Sequence, residues 1–363
     1  MENSTVEVSG GTFLFNGYAT PLIYGGVVII KEPGTQGVAE VVRSHATVTG
    51  GTFESGVLDG GFASSDNDTR AEALAEENTS TLTGGNFSSY TFSMTGGHAG
   101  ADSLQTATAK ALRNRLTINT SATVFRLEGG MAVTSNGRIR SAQANENVVN
   151  VRASVHNELI GGFAWSHPAF SGTSVAAPLS TAEANRNKIW IAPGSGEFTD
   201  RSVGGWSDLN DNNITELRGA ANENEFSIGG GTLRLTYGGM SQAVNSRTGA
   251  DSIARTEANK NKVWSKADTL EGDLLGGSAH AWTTDGRAEA AAHENELYVK
   301  EGTYQYNIYS GSTKAVSENG SAVAQATKNY LSTETNVMQG ITGGHASAEA
   351  KGTFDVLASE NLL

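Results

Sequence analysis

Paired glycines recur along this chain at a near-constant interval, and that interval limits the fold more than any other feature. They stand at Gly25-Gly26, Gly60-Gly61, Gly96-Gly97, Gly129-Gly130, Gly161-Gly162, Gly204-Gly205, Gly238-Gly239, Gly276-Gly277 and Gly343-Gly344, with Ser310-Gly311 filling the one missing slot. From Gly25 to Gly343 nine steps cover 318 residues, about 35 per step. A period in that range marks a repeat architecture, in which each unit buries its apolar surface only by stacking on its neighbours.

A second signature keeps the same period and a fixed phase to the first. It is Asn, any residue, apolar, any residue, apolar, as in Asn114-Leu116-Ile118, Asn147-Val149-Val151, Asn187-Ile189-Ile191, Asn224-Phe226-Ile228 and Asn295-Leu297-Val299. Asn261-Val263 and Asn329-Leu331 repeat it with a polar last position, and an Ala commonly precedes the Asn by three residues, as at Ala144, Ala184, Ala221, Ala258, Ala292 and Ala326. Alternation with period two marks a strand with one buried face. Asn tolerates left-handed backbone angles, so it is expected at the corner before that strand. The glycine pair is expected to supply the next corner. Beyond it the chain runs through small alternating residues, Ala279-His280-Ala281, to a polar tip, Thr283-Thr284-Asp285-Gly286, and back through Ala288-Glu289-Ala290. This reads as a hairpin or long excursion whose tip absorbs the length variation between repeats. The rival reading makes stretches such as Thr69-Arg70-Ala71-Glu72-Ala73-Leu74-Ala75 short helices, since Ala and Glu favour helix.

The expected architecture is therefore all-β, a β-solenoid (β-helix) of about ten coils with variable hairpin excursions, one domain over residues 1–363. At about 4.8 Å per coil, ten coils make a rod of roughly 50 Å, with Asn ladders running up it. Composition agrees. With 45 Gly, 5 Pro, 37% hydrophobic and 17% charged residues, the chain is too apolar for disorder and too glycine-rich for a helical bundle. Glu2–Val8 reads as the opening strand of a repeat and Ala358–Leu363 as the start of another, so a fragment of a longer array is expected.

The net charge of −13 argues against nucleic acid or an anionic membrane surface as partner. No apolar run approaches the roughly 18 residues of a membrane span, and the first residues lack the features of a signal peptide. Zero cysteines exclude disulfides and thiolate metal sites. That fits a cytosolic protein and equally one that crosses a membrane unfolded.

The repeat unit, Asn-x-apolar-x-apolar, a glycine turn, then apolar-Gly-Gly-x-Ala, resembles the repeats in passenger regions of large Gram-negative autotransporters, over essentially the whole chain. The resemblance implies display at the bacterial cell surface, secretion through a C-terminal barrel, and adhesion or aggregation. The family's signal peptide and barrel domain are not in this sequence, which accords with a fragment.

Several segments carry residue types that catalysis or metal binding uses. Ser171-Gly172-Thr173-Ser174-Val175-Ala176-Ala177-Pro178 resembles the nucleophile segment of subtilisin-like serine proteases, with Ser174 as the attacking residue. A nucleophilic serine needs a histidine base and an orienting carboxylate. The family's Asp-Thr-Gly-like and His-Gly-Thr-like segments do not occur, and His156 and His167 of the same repeat lack that context. None of the seven histidines shows zinc-ligand spacing; His98 and His345 both follow a glycine pair and are repeat equivalents. Asp208-Leu209-Asn210-Asp211-Asn212-Asn213 is rich in oxygen ligands for Ca²⁺ but lacks the bidentate Glu and the Gly of an EF-hand, and reads as a solvated loop. Carboxylate pairs for glycoside hydrolysis can arise on any sheet face and cannot be located from sequence. The expectation is no enzyme, no catalytic residue, no metal and no cofactor.

The outward position of the Asn-led strand holds Thr117, Asn150, Trp190, Ser227, Trp264, Tyr298 and Ser332 in successive repeats. Trp190, Trp264 and Tyr298 are the candidate glycan-binding residues, a stepped aromatic column on a long face. Against that, hairpins could fold over the rings, or the rings could simply stack as ladder neighbours. The expected function is a non-catalytic extracellular adhesin or surface stalk whose partner is a host or bacterial surface glycan or protein. Alternatives are a subunit that associates end to end into a surface filament and a polysaccharide-directed fibre or lyase. Neither nucleic acid nor membrane insertion of this segment is expected.

Overall fold

The computed structural model describes residues 1–14, 21–31, 36–87, 92–167, 177–335, 337 and 339–363. Within them every regular element is a strand and every strand pair is parallel, stacked into a β-solenoid of about 9 turns rather than ten. Neighbouring turns lie in register. Lys262–Ser265 pairs with Glu225–Ile228 on one side and Glu296–Val299 on the other, which aligns Phe226, Val263 and Leu297. The column continues through Ile189 and Val149, and all five side chains are buried. Unlike residues can share this column because each contacts only the rung above and below.

One turn shows the layout. A lead strand, Lys262–Ser265, follows Asn261; a short strand, Thr269–Leu270, and a long one, Leu274–Thr283, come next, and Arg287–His293 closes the turn. Leu, Ile, Val and Phe from the first three walls fill a large apolar core. The rest of the cross-section is a narrow arm packed by alanine, where Ala279 and Ala281 of one wall and Ala288 and Ala290 of the other share a core. The expected hairpin is corrected here. Its two arms do not pair with each other: Leu274–Thr283 pairs with Ile308–Ser317, and Arg287–His293 with Ser321–Thr327, all in parallel. Alanine is required because two sheets this close leave no room between them for longer side chains. The helical alternative fails for the same reason. Arg70–Glu76 is a strand in which Ala71, Ala73 and Ala75, spaced by two, are the buried residues.

The corner before each lead strand also differs from expectation. The left-handed residue is the one ahead of the asparagine, or ahead of Ser44 in the first turn: φ is 53° at Arg43, 55° at Glu77, 54° at Arg113, 61° at Glu146 and 57° at Arg186, and the pattern continues to 56° at Glu360. The asparagines are instead buried in a continuous ladder. The backbone N–H and the Nδ2 of Asn114 both donate to Oδ1 of Asn147 (2.9 and 3.1 Å), and Asn147 donates to Asn187 in the same way (3.0 and 3.0 Å). The ladder runs from Asn78 to Asn361. Each left-handed residue is strained by on the order of 1 kcal/mol, and the ladder bonds to the next residue offset it. Those left-handed residues alternate in sign from Arg43 through Glu77, Arg113, Glu146, Arg186, Glu223, Lys260, Glu294 and Lys328 to Glu360. Arg113 pairs with Glu77 at 3.3 Å and Arg186 with Glu146 at 2.8 Å. Single exposed pairs contribute little, but like charges at one-rung spacing would repel along the whole rod.

The glycine pairs serve close approach and not turning. None of the pairs in the periodic series has a positive φ, whereas Gly11, Gly51, Gly85 and Gly231, in Gly-Gly steps outside that series, do; in Leu274–Thr283 the strand runs straight through Gly276-Gly277. A Cβ on Gly60 would strike the carbonyl oxygen of Gly96 in the next turn. A Cβ on Gly130 would lie 2.5 Å from Oδ1 of Asn147. The two sequence signatures keep a fixed phase because, from Gly61 to Gly344, the second glycine of each pair faces the ladder asparagine across the turn; Gly26 faces Ser44 in the same way.

Candidate functional site

The lead strands form a parallel sheet whose outer face meets solvent. Period two turns Ile189, Ile191, Val263 and Leu297 inward and Trp190, Trp264 and Tyr298 outward. Among the described residues no other segment lies over the two indoles: Trp190 is 48% exposed and Trp264 38%. Tyr298 is half-buried. Register places Trp190 beside Ser227 and Ser227 beside Trp264, so one small rung separates the indoles, about 9.6 Å apart at the usual strand spacing. Trp264 and Tyr298 are adjacent rungs, stacked with centroids 6.1 Å apart and planes 6° from parallel. Tyr330, which the column rule did not select, extends the array at 5.4 Å from Tyr298. The rings are thus ladder neighbours and solvent-facing at once. The stack covers one face of the Trp264 indole, and the other borders the Ser227 rung.

Below Trp190 the face deepens into a groove. One part, about 440 Å³, is lined by Trp190, Thr117, Asn119, Asn150, Arg152 and Pro193. A second, about 460 Å³, shares Asn119 and Arg152 and continues past Thr120, Ser121 and Ser154 to Gly194 and Gly196. A bulge builds its rim. Asn119 pairs with Arg152 and Thr123 with Ser154, four steps on one strand against two on the other, so two extra residues are pushed out of the ladder. The arrangement presents an indole, amides, hydroxyls and a guanidinium on one open surface. This is the equipment to stack on a sugar ring and hydrogen-bond its hydroxyls.

No protein-family model, curated protein or solved structure matches the chain.

Ser174 lies outside the described residues. His156 stands in the bend after Val148–Val155 and His167 ends the strand Phe163–His167; Nε2 of His167 is 3.6 Å from Asp208, and Thr199 Oγ1 is 3.4 Å from Nδ1 of His156. His98 and His345 occupy one column at distant rungs, as their positions after glycine pairs implied. The expected loop around Asp208 and Asp211 is a strand, Trp206–Asp211, and its alternation separates the two carboxylates. Asp211 turns inward to pair with the buried guanidinium of Arg140 and accepts the Asn213 N–H at 2.7 Å. Among the described residues no group of three or more His, Asp or Glu is placed to hold a metal ion, and no helix is long and apolar enough to cross a membrane.

Sequence reading missed one buried acidic cluster. Asp59, Thr95 and Glu128 share a column ahead of the glycine pairs, with Glu158 beside it. Burial raises Asp59 to about 7, a Thr95 hydrogen bond opposing the rise and Glu128 adding to it. Glu128 is likewise raised by burial, against the pull of Arg126. Arg126 pairs with Glu128 at 2.9 Å and Glu158 at 3.0 Å, and Arg201 with Glu158 at 3.1 Å. The guanidiniums lie over the Phe163 and Trp206 rings at 5.5 and 4.5 Å. Burial also holds His98 down at about 4, Arg126 contributing. A raised carboxyl is what acid catalysis uses, but Asp59, Glu128 and Glu158 are at most 8% exposed. The cluster holds the turns together from within.

Proposed function

We propose that this chain is a non-catalytic, carbohydrate-binding β-solenoid, acting as an adhesin or as the stalk of one at a bacterial cell surface. The observation that carries the reading is the uncovered aromatic column on the lead-strand face, above all Trp190 and Trp264. Exposed indoles on a rigid sheet lose little entropy when a sugar stacks on them, and the fixed rise sets them at regular intervals along a glycan. The resemblance of the repeat to autotransporter passenger regions supports display outside the cell. A rod of stacked turns is suited to hold a binding face away from a surface.

A glycan array probed with the whole chain tests this. Trp264→Ala and Trp190→Ala should each weaken binding at least tenfold while the far-UV spectrum stays unchanged, because both side chains point away from the core. A parent chain that binds no glycan or whole cells, or a double variant that binds as well as the parent, would remove the proposal.

A further inference from the structure

The geometry points to an acidic sugar, one bearing a carboxylate, as the ligand of the groove beneath Trp190. This rests on the glycan-binding reading of the same face and adds a charge requirement to it. The chain carries 38 acidic residues against 25 Lys and Arg, yet no Asp or Glu lines either part of the groove. Arg152 does, and it belongs to both parts. It is exposed, and unlike Arg113, Arg186 or Lys188, which pair with carboxylates, it forms no ion pair with any described residue. Arg115, outward on the strand before it, is likewise without an ion pair among the described residues but does not line the groove; Arg152 is the cation that the groove itself presents.

The placement fits one ligand. Asn150 is the register partner of Trp190, and Arg152 follows two residues along the same strand and face, about 7 Å away. A sugar stacked on the indole thus sets its neighbour, or its own carboxylate arm, over the guanidinium, which accepts a carboxylate through two parallel N–H donors. Asn119, paired with Arg152, and Asn150 supply amides on either side for ring hydroxyls. Thr120 and Ser121, pushed out by the bulge, and Ser154 across it add hydroxyls along the second part. A neutral glycan would gain the stacking and the amides but leave Arg152 unused.

Matched pairs of probes separate this inference from the reading it rests on. The whole chain is titrated with hexagalacturonate and its carboxyl-reduced counterpart, and with sialyllactose and lactose, by calorimetry or indole fluorescence. At least one acidic member should bind ten times tighter than its neutral partner or better, with affinity falling as salt rises. Arg152→Gln should bring that acidic member down to the neutral level, and Trp190→Ala should abolish both. Arg152 is exposed, so the variant should keep the parent's melting curve. Equal binding within both pairs, or a preference that survives Arg152→Gln, overturns the acidic-sugar inference while leaving glycan binding intact. An acidic preference untouched by Trp190→Ala places the anion elsewhere and also overturns it. Failure of every probe, neutral and acidic, sinks both.

Discussion

Replacing Asn114 by alanine should be among the most damaging single changes in the rod, and its partner glycine shows why. Oδ1 of Asn114 accepts two hydrogen bonds from Asn78, from the backbone N–H at 3.0 Å and from Nδ2 at 3.1 Å. Nδ2 of Asn114 donates to Oδ1 of Asn147 at 3.1 Å and to the Ala75 carbonyl at 2.9 Å. Asn114 and Asn78 are fully buried, so water cannot replace what is removed. Two donors on Asn78 lose their acceptor at about 1–3 kcal/mol each, giving a destabilisation of about 2–6 kcal/mol. Gly97→Ala attacks the same spot from the other side, since its Cβ would sit 2.5 Å from Cγ and 2.8 Å from Nδ2 of Asn114. That overpacking should cost about 1–3 kcal/mol. With Asn114 truncated the clash disappears, so the double variant should be less damaged than the sum by about 1–2 kcal/mol. Urea unfolding of the four chains measures the cycle, and hydrogen exchange at the Asn78 amide reports the orphaned donor. A loss in Asn114→Ala under about 0.5 kcal/mol, with Asn78 still protected, would refute the ladder as a source of stability. Strict additivity with Gly97→Ala would refute the account of the glycines.

Three further outcomes follow from the packing. Phe226→Ala should cost about 3–5 kcal/mol and loosen the turns holding Ile189 and Val263 before the ends; even loss of exchange protection along the rod would argue against nearest-neighbour stacking. Asp59, held at about 7 in the fold and near 3.9 when unfolded, keeps a proton that the unfolded chain has lost. Its penalty is nil below about pH 4, grows as pH rises and is complete above about 7, at most about 4 kcal/mol. Asp59→Asn should therefore match the parent at pH 4 and exceed it at pH 8; His98 acts in the opposite sense, so the two chains are compared at each pH, and equal curves at both would refute the linkage. Arg140→Met strands the Asp211 carboxylate in the alanine core and should cost about 3–5 kcal/mol, most of it recovered by adding Asp211→Leu; a single variant as stable as the double would overturn the pairing.

The stacked strands were legible because burial alternates with period two and the repeat supplies the register. Val149, Ile189, Phe226, Val263 and Leu297 could be aligned by eye, and they form one buried column. Asn78 escaped the pattern because Ser80 fills the inward position that Leu116 and Val149 take in later turns. What spacing could not convey was cause. Asn and Gly both tolerate left-handed angles, so both were assigned to corners, yet one needs burial and the other needs room. The true left-handed residues are Arg, Lys and Glu, whose side chains carry no signal for φ. The alanine arm misled for a similar reason. A small-residue strand returning past a polar tip looks the same whether its arms pair as a hairpin or face each other as two walls, and only the turns above and below decide.

The candidate site divides along the same line. An aromatic every rung or two at the outward position is a one-dimensional pattern, so Trp190, Trp264 and Tyr298 could be picked out in advance, though their exposure depends on whether anything crosses that face. The groove is of another kind. Asn119 and Arg152 come together only because two extra residues leave the ladder between Asn119 and Thr123, and Pro193 and Gly194 enter from the next turn. A bulge breaks the repeat, and in a solenoid a break in the repeat is where specificity can reside. Regular turns present the same backbone at every rung and differ only in their side chains, which suits a stalk or a low-affinity platform. A bulge beside an exposed indole sets that rung apart, and there Arg152, which forms no ion pair with a described residue, lines the groove.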